Sequence, residues 1–159
     1  MPDDRCSQLV YERAVDQGET TMKFAGIDYW AVVIAGIVGY AAGALWYWGW
    51  SKPWMEAQGF TLESMKANQS PVPYLLAFVA NLVMALMLAG VIGHLGIGEV
   101  TIRNGVISAA AVWLGFVATT QTVNYRFGKR PLKLLLIDSG HWLVVLLLQG
   151  AVIGFMGVS

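Results

Sequence analysis

Four long, predominantly apolar runs, each about as long as a bilayer is thick, leave this chain of 159 residues few ways to fold. They cover 29–50, 72–95, 106–125 and 132–155, and a helix needs roughly 20 apolar residues to cross a hydrocarbon layer of about 30 Å. Lipid offers no partner to a bare N–H or C=O, so a spanning segment is either a helix or a strand of a closed barrel. The runs lack the period-two alternation of barrel strands, which leaves helices. Composition agrees with this, since 57% of the residues are hydrophobic and 13% are charged, against about 25% charged in ordinary soluble domains. The expected fold is all-α, an integral membrane four-helix bundle with a short interfacial helix between helices one and two.

The remaining segments are short. Residues 1–21 are polar and mixed in charge without an apolar core, so they read as a flexible tail, neither signal peptide nor span. Residues 22–159 read as the membrane domain. Met22-Lys23-Phe24 opens directly onto the first run, so translation starting at Met22 is an alternative. Between the first two spans, Thr61 can cap a short helix through Met65, while Trp50 and Trp54 are placed as anchors at the headgroup level. The tight link from Arg126 to Pro131 makes the third and fourth spans an antiparallel hairpin.

Charge sets orientation and excludes some functions. The formal net charge is zero, without the basic stripe that nucleic-acid binding needs. A lone Cys6 with no ligand-spaced neighbours gives no metal site, and nothing in the sequence calls for a cofactor or names a small-molecule ligand. One side of the bundle carries Lys52, Lys66, Arg126, Lys129, Arg130 and Lys133; the other carries Arg103, Lys23, Arg5 and Arg13. By the positive-inside rule the two basic loops face the cytoplasm of a bacterial inner membrane and both termini face out. A faint internal echo pairs Tyr47, Lys52 and Pro53 with Tyr125, Arg130 and Pro131 at one constant offset; chance accounts for it as well as a repeat does.

Two residue sets stand out within the spans. In the first, Ala31, Ala35, Gly39 and Gly43 form a stripe of small residues that lets another backbone approach closely, either a second copy or a neighbouring helix of the same chain. The other set is polar. Asp138, His141 and Gln149 fall on one arc of the fourth helix, and Thr120, Gln121 and Asn124 share an arc of the third. Asn81 is a single amide in the second. Polar groups in lipid are costly and seek each other, so Asn81, Gln121, Asn124, Asp138 and His141 are expected to form one layer near the basic loops, with Asp138 bonded to Gln121 or Asn81. Such a layer either fixes helix register or, given a carboxylate near a histidine, relays protons or binds a cation or a polar head group. No nucleophile or metal partner stands beside this pair, so the residues do not assemble a catalytic site.

The stretches Gly43-Ala-Leu-Trp-Tyr47, Lys52-Pro-Trp-Met55, Trp113-Leu-Gly-Phe-Val-Ala118, Asn124, Gly128-Lys-Arg130 and Asp138-Ser-Gly-His141 resemble bacterial membrane proteins grouped as domain of unknown function 1761. The resemblance runs over roughly 22–155 and implies a four-helix membrane protein without adding a mechanism. The family pattern has a less aromatic turn where this chain has Trp48-Gly-Trp50, and often Asn and Tyr where it has Asp138 and His141, which favours a non-catalytic role. The reading of the sequence is therefore a small non-catalytic membrane subunit that self-associates or binds a membrane partner through the stripe of helix one. A minimal oligomeric transporter or channel lined by the polar layer is the alternative.

Overall fold

A computed structural model describes residues 28–67, 70–96 and 98–157; the readings placed on the tail, on Cys6 and on a start at Met22 lie outside them. Four helices long and apolar enough to cross a membrane run Tyr29–Gly49 (α1), Val72–Gly93 (α4), Ile102–Phe127 (α5) and Leu132–Met156 (α6). Two short helices, Ser51–Gln58 (α2) and Leu62–Ala67 (α3), fill the link after α1, and no strand occurs among the described residues. The chain is an all-α four-helix bundle.

Local chemistry fixes the helix ends. Asp28 caps α1 by accepting from the Trp30 N–H at 2.8 Å, and Gly59 closes α2 in a left-handed conformation at φ 74°, the seat that glycine takes most easily. At α3, Thr61 Oγ1 accepts from the Ser64 N–H at 3.2 Å. The expected third span began at 106, but α5 begins at Ile102, because Thr101 caps it through the Asn104 N–H. Arg103 and Asn104 thus sit in its first turn. A hydropathy reading stops at such polar residues, whereas the hydrogen-bonded helix continues to its cap.

Helix α6 is the hub. Half of its apolar window is buried, against 33% for α1 and α4 and 6% for α5. The apolar core joins Val32 and Ala35 of α1, Ala85, Leu88, Ala89 and Ile92 of α4, Ala109 of α5 and Leu146 and Ile153 of α6. The stripe on α1 faces inward: Ala31, Ala35, Gly39 and Gly43 are all buried. A Cβ on Gly39 would stand 2.6 Å from Gln149 Nε2 and 2.7 Å from Asn81 Oδ1, and one on Gly43 would stand 2.6 Å from His141 Nε2. The reading of this stripe as an outward seam is corrected, because α4 and α6 of the same chain already occupy it.

Helix α5 leans on α6 and little else. Where the two cross, Gly105 meets Gly150 and Gly154, so closely that a Cβ on Gly105 or Gly150 would collide with the other's carbonyl oxygen. Small residues at such a crossing let helices gain dispersion contact that lipid cannot supply. Lower down, Trp113–Ala118 forms a π-helical turn. Residues Gly105, Ala109, Trp113, Val117, Gln121 and Tyr125 follow at four-residue steps, and all are at least partly buried. In a uniform α-helix each step of four drifts by ~40°, or ~200° over five steps, which would carry Tyr125 away from α6. The wider π turn removes about half of that drift and keeps these residues on one side of the helix.

Gly150→Ala is therefore expected to destabilise the bundle by about 1–3 kcal/mol through overpacking, while Gly115→Ala, whose Cβ meets nothing within 4 Å, is expected to be neutral or mildly stabilising. Equilibrium unfolding in mixed detergent–SDS micelles measures both. Equal effects of the two changes would contradict the close crossing.

Candidate functional site

Three consecutive residues of α6 collect aromatic donors from the surrounding elements. The Trp46 indole N–H donates to the Ile137 carbonyl at 3.1 Å, and the Trp113 indole donates to the Ser139 carbonyl at 2.8 Å. Between them, the Asp138 side chain accepts at Oδ1 from the Tyr47 hydroxyl (2.8 Å) and the Trp54 indole (3.0 Å), and at Oδ2 from the Tyr125 hydroxyl (2.5 Å). Gly140, the next residue, lies close under Trp46: a Cβ there would stand 3.1 Å from the indole, which would have to give by a few tenths of an ångström. Helices α1, α2 and α5 are thereby tied to α6 at one level, ~9 Å from its first residue at ~1.5 Å rise per residue.

Each donor is placed by its own element. Tyr47 follows Trp46 near the end of α1, so one turn supplies both a carbonyl donor and a carboxylate donor. The turn at Trp50 and Ser51 folds α2 back, which brings Trp54 under the bundle, with its ring 5.8 Å from that of Tyr47. Lys133 of α6 holds Glu56 of α2 at 3.0 Å, on the exposed side of the same contact. The π turn of α5 orients Trp113 and Tyr125 to one side. Asp138 itself is 7% exposed. A buried charge is tolerated only when well hydrogen-bonded, and here three donors share the two oxygens.

The polar residues expected to form one layer are divided. Asp138 bonds the aromatic donors instead of Gln121 or Asn81, because phenol and indole reach farther across the helix gap than an amide does. Asn81 lies with Gln149 of α6, whose Nε2 donates to the Asn81 carbonyl at 3.1 Å and to Asn81 Oδ1 at 3.3 Å. This pair ties α4 to α6, opposite Gly39. Between the two groups, His141 is buried one turn beyond Asp138, its ring 4.8 Å from that of Tyr47, and its Nδ1 has no hydrogen-bond partner among the described residues. Gln121 is half-buried, and its Oε1 has no partner among the described residues. Asn124 is exposed on the flank of α5. Of the two anchors, Trp50 is 46% exposed and stacks on Trp46 at 5.8 Å, whereas Trp54 points inward as an Asp138 donor.

A family model described as Protein of unknown function (DUF1761) matches residues 30–154. The chain belongs to this family. Neither a curated protein nor a solved structure matches it. All five aromatic donors and the three acceptor residues of this DUF1761 chain fall within the matched segment, which also contains the Asn81–Gln149 pair. The three-residue acceptor group can hold helices together, and with both carboxylate oxygens engaged it offers little free acceptor capacity to an incoming ligand.

Trp46, Tyr47, Trp113 and Tyr125 were not singled out as donors from spacing, since an aromatic residue near the end of a membrane helix reads first as an interfacial anchor. The available signal was the echo that pairs Tyr47 with Tyr125. These two phenols converge on Asp138 from α1 and α5.

Tyr125→Phe is expected to cost about 1.5–3 kcal/mol, the range for a hydrogen bond to a charged group. The same change in an Asp138→Asn background should cost markedly less. Unfolding of the four members of this double-mutant cycle measures the coupling. If Tyr125→Phe costs the same in both backgrounds, the two side chains do not interact.

Proposed function

We propose that this protein is a non-catalytic subunit of the bacterial inner membrane that pairs with a second copy of itself through the outer face of α5, with its basic loops in the cytoplasm. The observation that carries the reading is how little of α5 the rest of the chain covers. Only 6% of its apolar window is buried, and Ala111, Gly115 and Thr119 present small side chains at four-residue spacing on its exposed side. Farther round the helix toward its flank, Thr120 and Asn124 are exposed within the span and make no side-chain hydrogen bond among the described residues.

Two features support a helix partner over bare lipid. A small face admits a second backbone at close range, and polar side chains in the bilayer are normally turned toward protein or water. An Asn amide both donates and accepts, so two copies related by a twofold axis can satisfy one another. The arrangement gives less support to transport. Asp138 is engaged by aromatic donors, Asn81 is engaged by Gln149, and no hydrogen bond joins Gln121 to either group among the described residues. The basic loops support the orientation, since Lys and Arg gather at the α1–α4 link and the α5–α6 link.

Gly115→Leu separates pairing from folding, because its new side chain would point into open space in the single chain. Light scattering of the purified protein in mild detergent should give a dimer for the parent and a monomer for Gly115→Leu, with unchanged melting of the individual chain. A monomeric parent, in detergent and by crosslinking in native membranes, would remove the proposal. For orientation, thiol labelling of Lys66→Cys and Arg103→Cys in a Cys6→Ser background should find only Arg103→Cys reactive to an impermeant reagent in intact cells. The opposite pattern would invert the assignment.

A further inference from the structure

We infer that the loop joining α5 to α6 is a binding site for anionic phospholipid headgroups, with Arg126, Lys129 and Arg130 as its cations. The inference rests on the membrane fold and on charge, and is independent of pairing through α5.

The basic end of the bundle carries Lys52, Lys66, Arg126, Lys129, Arg130 and Lys133, against the exposed carboxylates Glu56 and Glu63. Asp138 lies at the same end but is buried among its donors. Lys133 is paired with Glu56; Arg126, Lys129 and Arg130 form no ion pair among the described residues and are exposed. Among the described residues, positive charges at this end therefore exceed exposed carboxylates by four, and Arg126, Lys129 and Arg130 are not neutralised by an ion pair. The far end differs, with Asp28 and Glu99 against Arg103 among the described residues. Clusters of Lys and Arg immediately outside a membrane helix attract acidic lipid, and the charge on this end complements a phosphodiester headgroup.

The loop is built to hold those cations. Arg130 N–H donates to the Tyr125 carbonyl at 2.9 Å, Lys129 N–H to that of Arg126 at 3.2 Å and Gly128 N–H to that of Asn124 at 2.8 Å. This closes α5 in a Schellman turn. Its left-handed seat, at φ 51°, is occupied by Lys129 and not by glycine. A side chain is disfavoured in that conformation, where glycine is the usual occupant. Gly128 stands one residue too early to relieve it. Lysine at this seat places an ammonium group at the tip of the hairpin, at a backbone cost that glycine would avoid. Phe127 at 87% exposure and Trp48 at 81% flank this end and suit the level where acyl chains meet headgroups. Phe127, next to Arg126 in the chain, thus adds an exposed ring beside the loop cations.

The test uses the full chain reconstituted in phosphatidylcholine bilayers containing spin-labelled phosphatidylglycerol or spin-labelled phosphatidylcholine, comparing their association constants by electron paramagnetic resonance. The parent should prefer phosphatidylglycerol, and added salt should weaken the preference. Arg126→Gln, Lys129→Gln and Arg130→Gln should each lower it by up to about fivefold, and the triple variant should abolish it. Arg103→Gln, at the opposite end, should leave it unchanged. Lys129→Gly guards against a folding artefact: it should melt at or above the parent temperature while losing part of the preference. Inorganic phosphate at equal ionic strength should displace no more lipid than chloride does. A parent with no preference, a triple variant that keeps it, or displacement specific to inorganic phosphate would each overturn the assignment.

Discussion

A carboxylate inside a bundle of apolar helices has to find donors, and around Asp138 that requirement organises one whole end of the molecule. Three donors reach its two oxygens, and the carbonyls on either side of it, at Ile137 and Ser139, each take an indole. None of these donors carries a charge. Phenol and indole groups suit the place because each brings a large apolar surface that lipid or a neighbouring helix can cover, together with one polar atom at its far edge. Lysine or arginine would answer the charge more strongly, yet would add a second ion to be desolvated, and that penalty can exceed the gain. Neutral donors let the bundle hold a single acidic group without a buried ion pair.

The opposite end is held by different means. There α5 meets α6 at Gly105, Gly150 and Gly154, where contact is backbone against backbone, and α1 meets α4 and α6 through its own small residues. The Asn81–Gln149 pair lies between these ends and anchors α4. Polar bonds at one end set rotation and register, because each has a defined direction; glycine contacts at the other set separation, because they allow only a close fit. Both kinds act on α6. With α5 fixed to α6 at both levels and hardly touching α1, its remaining surface is left for lipid or another chain.

The spans, the hairpin and the interfacial segment were legible in the sequence because they follow from the cost of bare backbone in hydrocarbon, which depends on local composition alone. The partners of Asp138 were not. Winding α5 uniformly put Thr120, Gln121 and Asn124 on one arc, but the π turn at Trp113–Ala118 shifts the phase, leaving Gln121 and Tyr125 toward α6 and Asn124 on the flank. Such a turn depends on what the helix packs against, and its own residues, Trp-Leu-Gly-Phe-Val-Ala, carry no pattern that demands it. The role of Trp54 as an Asp138 donor was hidden for a related reason: it follows from how α2 folds back under α1. The small stripe on α1 was visible as a close-approach surface, while the identity of what approaches it depended on tertiary structure.

Tyr125 links the interior to the surface. Its hydroxyl donates to Asp138, and its carbonyl accepts the Arg130 N–H that closes the basic loop. The position of the last turn of α5 therefore depends on the same residue that fixes the Arg130 backbone. Any ligand that favours this loop conformation over others must, by linkage, favour the helix arrangement that accompanies it. An acidic bilayer would accordingly do more than orient the protein: by engaging the loop cations it would strengthen the attachment of α5 to α6. The reciprocal effect follows from the same thermodynamics, since a loosened Tyr125–Asp138 contact would release the loop and weaken its hold on the headgroup.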